Sequence, residues 1–171
     1  YYQYVRTRKY ILKKNLAFVC FDIEYCKKIG KKFADFLDML FVDIQEMLEY
    51  NMINDAMKQN VGEEYYNKKE RATIKEISGY DNALVTVDGS IFIRGNNHKL
   101  LAENCTVVYL KITQKMFEKS NKVSSISTRP TFAFDVENKL CKQLSDLTID
   151  ILEKEQDFEI IKNSLSKFLC V

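Results

Sequence analysis

Apolar residues in this chain fall into two alternating patterns. Short continuous runs, "LAFVC" (16–20), "ALVTV" (83–87) and "TVVYL" (106–110), have the length and β-branched content of strands buried on both faces. "LFVDI" (40–44) and "LTIDI" (147–151) predict two more strands. Helical spacing fills the gaps between them. Ile29, Phe33, Phe36, Leu37 and Leu40 recur on one face, and Met47, Leu48, Met52 and Ile53 suit a second helix. Tyr66, Thr73, Ile74 and Ile77 line one side of "GEEYYNKKERATIKEIS" (62–78), and "NNHKLL" (96–101) reads as a short helix. Phe158, Ile161, Leu165, Phe168 and Leu169 mark a C-terminal helix, while "EKSNKVSSISTRP" (118–130) reads as a polar loop. Doubly buried strands between helices predict a three-layer α/β domain built on a parallel sheet.

Composition narrows what such a domain can carry. At 171 residues the chain has one domain's length and can bury a sizeable core. Five glycines and one proline imply short loops and nearly exclude any motif that needs several glycines. The formal charge of +2 is not that of a nucleic-acid binder as a whole. Residues 1–14 are the exception: Arg6, Arg8, Lys9, Lys13 and Lys14 stand with Tyr1, Tyr2, Tyr4 and Tyr10 and without an acid before Asp22. They read as a basic, aromatic arm ahead of a domain at 15–171. A solvated leader beside a removed targeting segment and a docking arm for a protein partner are both open readings, and aromatics beside cations could also meet RNA. The five cysteines, Cys20, Cys26, Cys105, Cys141 and Cys170, form no C-x-x-C pair, so core thiols are expected rather than a metal site or disulfide framework. No apolar run reaches the ~20 residues of a transmembrane segment.

With this order of elements the chain resembles shikimate kinase, a small P-loop kinase, from about Asn15 to Leu169. "FADFLDMLFVDIQEMLE" is similar to the family's first helix, second strand and acidic motif, and "GEEYYNKKERATIKEI" to its G-E-x-x-F-R-x-x-E helix. "NALVTVDGS" stands where the family has a strand ending in Gly-Gly-Gly. "NHKLLAENCTVVYLKIT" resembles the helix and strand that follow, "STRPTF" the Arg-Pro of the lid, and "NKLCKQLSDLTIDI" the last helix–strand step. The resemblance implies a five-stranded parallel sheet in the order 2-3-1-4-5, flanked by helices.

It also implies a phosphate loop, G-x-x-G-x-G-K-[ST], where this chain reads "VCFDIEYCKKIG" (19–30). The matching glycine positions hold Cys20, Ile23 and Tyr25, the lysine is Cys26, and the magnesium-binding hydroxyl is Lys27. Side chains there block the backbone angles and close approach that a phosphate cradle needs, and Asp22 and Glu24 oppose a triphosphate. The same acids suit a plain helix start, with Asp22 as N-cap and Glu24 facing the positive helix end. Gly30-Lys31 would shift the loop into the middle of the helix. In the acidic motif Asp43 remains but its substrate-side partner is Gln45. The substrate arginine of F-R-x-x-E is Asn67, with Glu70 kept, and Gly-Gly-Gly is Asp88-Gly89-Ser90. Arg129 survives from the lid, and the arginine expected before the last helix is Glu137.

Asp43 and Glu70 could form an acid–base pair, but caps and hydrogen bonds explain them more simply. His98, the single histidine, has no nucleophile constellation around it. "KEQDFEIIKNSLSKFL" (154–169) suits core packing more than docking on a partner helix. The expectation is therefore a pseudoenzyme with no catalytic, cofactor-binding or metal residues and no cofactor, serving as a structural or protein-interaction subunit of a larger assembly. The resemblance and the basic leader suggest an organelle, plastid or mitochondrion. Two alternatives remain: a module sensing a small ligand in the old cleft, and a weak or altered kinase.

Overall fold

The computed structural model describes residues 13–51, 55–123 and 131–169. Five strands form one parallel sheet: β1 (Asn15–Cys20), β2 (Leu40–Asp43), β3 (Ala83–Asp88), β4 (Cys105–Lys111) and β5 (Leu147–Asp150), in the order β2-β3-β1-β4-β5. That is the sheet predicted above. β1 pairs with β3 from Leu16↔Leu84 to Cys20↔Asp88, and with β4 from Asn15↔Cys105 to Val19↔Tyr109. Every residue of β1 is buried, as its unbroken apolar run requires. The edge strands β2 and β5 are only partly covered.

Helices α1 (Ile23–Leu37), α2 (Ile44–Tyr50), α3 (Asp55–Val61), α4 (Glu63–Ser78), α5 (Gly89–Ile93), α6 (Asn97–Asn104), α7 (Gln114–Val123), α8 (Thr131–Leu144) and α9 (Asp157–Leu169) flank it. Tyr66, Thr73, Ile74 and Ile77 of α4 are all buried, and so are Ile161 and Leu165 of α9. Gly30 lets α1 lie directly on the sheet, since a Cβ there would stand 2.5 Å from Thr86 Cγ2. This glycine is a packing residue in mid-helix and takes no part in a phosphate loop.

Two expectations change and one overlap is settled. Leu40, which falls both in the apolar spacing of α1 and in the strand run 40–44, belongs to β2. Asp38 ends α1 in the left-handed region (φ 53), Met39 N–H bonds back to Ala34 O at 2.9 Å, and Leu40 N–H joins Asn82 O at 2.9 Å. Phe36 and Leu37, placed on the buried face by spacing, are 52% and 39% exposed. Residues 118–123 are helical rather than loop: Met116 and Phe117 bury one side of α7, with Glu118 and Lys119 exposed. Residues 124–130, Met52, Ile53 and residues 1–12 of the arm lie outside the described residues. Lys13 and Lys14 do not: Lys13 Nζ donates to Ala102 O, and Lys14 pairs with Asp81 at 2.8 Å on the surface.

Candidate functional site

In open parallel sheets ligands enter where strand order reverses, beyond the C-terminal strand ends. Here that place lies beyond β1, between β3 and β4, and two residues, Phe21 and Asp22, connect β1 to α1. Asp22 has extended backbone, and its Oδ1 accepts from Tyr25 N–H at 3.0 Å while its carbonyl accepts from Cys26 N–H at 2.9 Å. The N-cap foreseen from sequence is present, and it engages these first-turn amides with the chain's own oxygens.

Phe21 is 5% exposed and stands edge-on to Tyr109, Phe117 and Phe134, with centroids at 6.2, 6.3 and 5.6 Å. Phe117 and Phe134 stack on each other at 4.2 Å. The ring covers Gly89 so closely that a Cβ on that glycine would meet it at 2.5–2.8 Å. The turn thus places an aromatic plug over the start of α5 and ties it to α7 and α8.

The other turn residues are also engaged. Cys26 donates to Phe18 O at 3.6 Å, and contact with Cys20, together with burial, raises its thiol well above the usual range. Tyr25 donates its hydroxyl to Asp157 Oδ2 at 2.8 Å, and burial followed by that carboxylate raises the phenol. Asp157 also accepts from Leu152 and Lys154 N–H, so Tyr25 pins the loop before α9. Lys27 reaches Glu46 at 2.7 Å. That hydrogen bond outweighs desolvation and raises the lysine, which stays a cation at the rim.

Asp43 is buried at the end of β2. Its Oδ1 caps α2 through Glu46 N–H at 2.9 Å, and its Oδ2 accepts from Thr86 Oγ1 at 2.6 Å. Burial raises this carboxyl, against the lowering effect of both hydrogen bonds and of Lys27. Gln45 turns outward to Glu49 at 3.1 Å. Glu70 is held by Arg94 and Asn97, and does not pair with Asp43 in any hydrogen bond among the described residues. Asp88 caps α5 through Ser90 N–H at 2.8 Å. Asn67 is half-buried, with its amide oxygen lacking a partner.

His98 sits half-buried against Phe92, and burial lowers its pKa. Cys20, Cys26, Cys105 and Cys141 are free and buried, with Cys105 pushed up to about 12 by burial. Glu137 lies within α8 rather than ahead of it. Arg129 and Cys170 fall outside the described residues. No group of three or more potential ligands is placed to hold a metal among the described residues, and no described helix is long and apolar enough to cross a membrane. A cavity of about 390 Å³ opens on the β4–β5 side, lined by Lys111, Gln114, Phe134, Asn138, Asp150 and Leu152. Sequence reasoning missed Phe21 as a plug and Arg94 as the partner of Glu70. Neither carries a local pattern, because both contacts cross between elements.

Comparison with known proteins places this geometry in a family. The shikimate kinase family model matches residues 27–167, starting just past the β1–α1 turn. The shikimate kinase of Dehalococcoides mccartyi is 26% identical over 171 residues, covering 91% of this chain and 96% of the relative. That of Dictyoglomus turgidum is 30% identical over 104 residues, 58% of this chain and 60% of the relative. The structure of shikimate kinase from Acinetobacter baumannii in complex with shikimate superposes with a TM-score of 0.76 at 15% identity, covering 93% of this chain and 94% of that one. The shikimate kinase of Aquifex aeolicus superposes at 0.73 with 18% identity, covering 89% and 96%. These matches correct one expectation. Relatives named as kinases point to a kinase, so the reading of this chain as no enzyme is overturned. The β1–α1 turn is a few residues of a chain otherwise matched nearly throughout, and does not outweigh that match. The chain belongs to the shikimate kinase family.

Proposed function

We propose that this protein is an altered kinase of the shikimate kinase family, acting on a small hydroxy-carboxylate such as shikimate and working as a subunit of a larger assembly. The observation that carries the reading is a set of charged groups kept at the C-terminal rim of the sheet. Asp43 is buried at the end of β2 and fixed by Thr86, and Lys27 stays cationic beside it. A carboxylate raised by burial suits proton transfer from a substrate hydroxyl. Lys27 supplies positive charge close to the position where the family keeps its phosphate lysine. The first-turn amides bonded to Asp22 are unavailable to phosphate, which is what makes the kinase altered.

A coupled assay with shikimate and magnesium ATP, run on the purified chain and on its native assembly, tests the reading. The kinase reading expects turnover that Asp43→Asn and Lys27→Met each reduce by at least about a hundredfold, the scale of lost acid–base or electrostatic assistance. Absence of turnover in both preparations would overturn the kinase reading, and migration at monomer mass in the native extract would overturn the assembly.

A further inference from the structure

Away from the cleft, at the N-terminal ends of the strands, the domain exposes a group of large apolar side chains. Phe36, Leu37 and Leu40 are 52%, 39% and 57% exposed where α1 ends and the edge strand β2 begins. Phe36 is braced on one side: its ring meets Phe33 and Phe158 edge-on at 6.3 and 5.7 Å, and Lys162 Nζ stands 5.4 Å from its centre. β2 is open on the side away from β3. Leu40 N–H bonds to Asn82 O, so the N–H and C=O of Phe41, the next residue along, point to the free edge.

The charge around this face is one-sided. Asp35 and Asp38 stand in the last turn and at the C-cap of α1, a turn that contains no base, so two exposed acids add to the negative helix pole. Neither carboxylate has an ion-pair partner among the described residues. Asn82 donates to Asp38 O at 2.8 Å, which brings the neighbouring Asp81 to the same corner. There the basic N-terminal stretch already makes contact, since Lys14 pairs with Asp81 at 2.8 Å.

We propose that this face is the docking site of residues 1–12 of the same chain. Those residues hold Arg6, Arg8 and Lys9 and no acid, with Tyr1, Tyr2, Tyr4 and Tyr10 among them. Cations and aromatics complement acids set around exposed apolar side chains. Tyr4, Val5, Thr7, Tyr10 and Ile11 are residue types that suit a strand added to an open edge. The length also fits. A position just outside β2 is three strand spacings from β1, about 14 Å, and five extended residues span about 17 Å. Most of the segment is then left to run along β2 and the end of α1. Docking there covers an edge that would otherwise be free to pair with other chains.

NMR of the full chain tests the proposal. Nuclear Overhauser contacts are expected from the rings of Tyr2, Tyr4 or Tyr10 to the side chains of Leu37 and Leu40, unchanged on dilution, together with slow solvent exchange of the Phe41 amide. Arg6→Glu combined with Arg8→Glu sets like charge against Asp35 and Asp38 without touching the sheet or its helices. It should abolish the contacts and speed Phe41 exchange by at least about tenfold. Absence of tyrosine contacts in the native chain, or Phe41 exchange indifferent to the double substitution, overturns the proposal. Contacts that fade on dilution would place the segment of a second copy on this face and overturn docking within one chain.

Discussion

Phe21 offers a direct test of the geometry at the β1–α1 turn, through a double-mutant cycle with Gly89. Truncating Phe21 to alanine removes a buried ring from among Tyr109, Phe117 and Phe134 and should cost about 3–5 kcal/mol. Gly89→Ala introduces a Cβ at 2.5–2.8 Å from that ring. The ring is confined by its neighbours, so the expected cost is that of overpacking, about 1–3 kcal/mol. Gly89 does not need a left-handed backbone, since only Gly62 and Gly95 among the described glycines have positive φ. The clash is therefore the sole penalty. With Phe21 already gone, the same methyl enters vacated space at the start of α5, where alanine is the better helix former by up to ~1 kcal/mol. The two changes should be coupled by about 1–4 kcal/mol, well outside the ~0.5 kcal/mol within which independent sites add. Urea denaturation followed by far-UV circular dichroism measures all four proteins, and Phe21→Leu provides a milder substitute if the alanine variant is too unstable. Additive effects, or a costless Gly89→Ala in the presence of Phe21, would show that the ring does not cover Gly89 in solution.

Three further outcomes follow from named contacts. Gly30→Ala should destabilise by about 1–3 kcal/mol, because its methyl meets Thr86 Cγ2 at 2.5 Å and Phe41 at 3.2 Å, and thermal melting reads the loss. Glu70→Ala should cost about 1–3 kcal/mol by depriving the buried Asn97 amide of an acceptor, a drop that equilibrium denaturation will show as a lower midpoint at unchanged slope. For Asp43 the folded-state pKa is raised, so its titration favours folding only below the unfolded value and that contribution is lost as pH rises through the folded value. Asp43→Asn, which can still cap α2, should therefore gain on the native protein in melting temperature as pH rises from about 4 to 7, and a gap that shrinks over that range would contradict the assignment.

The fold was legible because the sheet is buried on both faces. Runs such as "ALVTV" and "TVVYL" can satisfy water exclusion only between two helical layers, and five of them leave few topologies. α1 and α4 were legible from spacing, and the Asp22 cap from chemistry that acts within one turn. Boundaries went wrong where a tertiary contact or a backbone conformation decided them. Leu40 continues the apolar spacing of α1, but a left-handed Asp38 breaks the helix and Asn82 draws Leu40 into β2. Residues 118–123 are polar enough for a loop and become helix because Met116 and Phe117, one turn earlier, anchor α7 in the core.

The site was half legible for a different reason. Position-by-position comparison reports which side chains a known pattern has lost, and it did so for the glycines and lysine of the turn and for Asn67. It is blind to replacement from elsewhere, because a replacement need only arrive at the same point in space. Glu70 illustrates the difference. The sequence suggested only a hydrogen-bonding role or a pair with Asp43, and in the folded chain it is bonded to an arginine 24 residues away. A buried glutamate cannot remain ionised and unpaired without a cost of several kcal/mol. Arg94, from another element, supplies the cation that pairs with it. The same demand does not act on the β1–α1 turn, where the Asp22 carboxylate caps the Tyr25 amide. A buried acid thus keeps a cation beside α4, while the β1–α1 turn, under no such demand, packs Phe21 over Gly89.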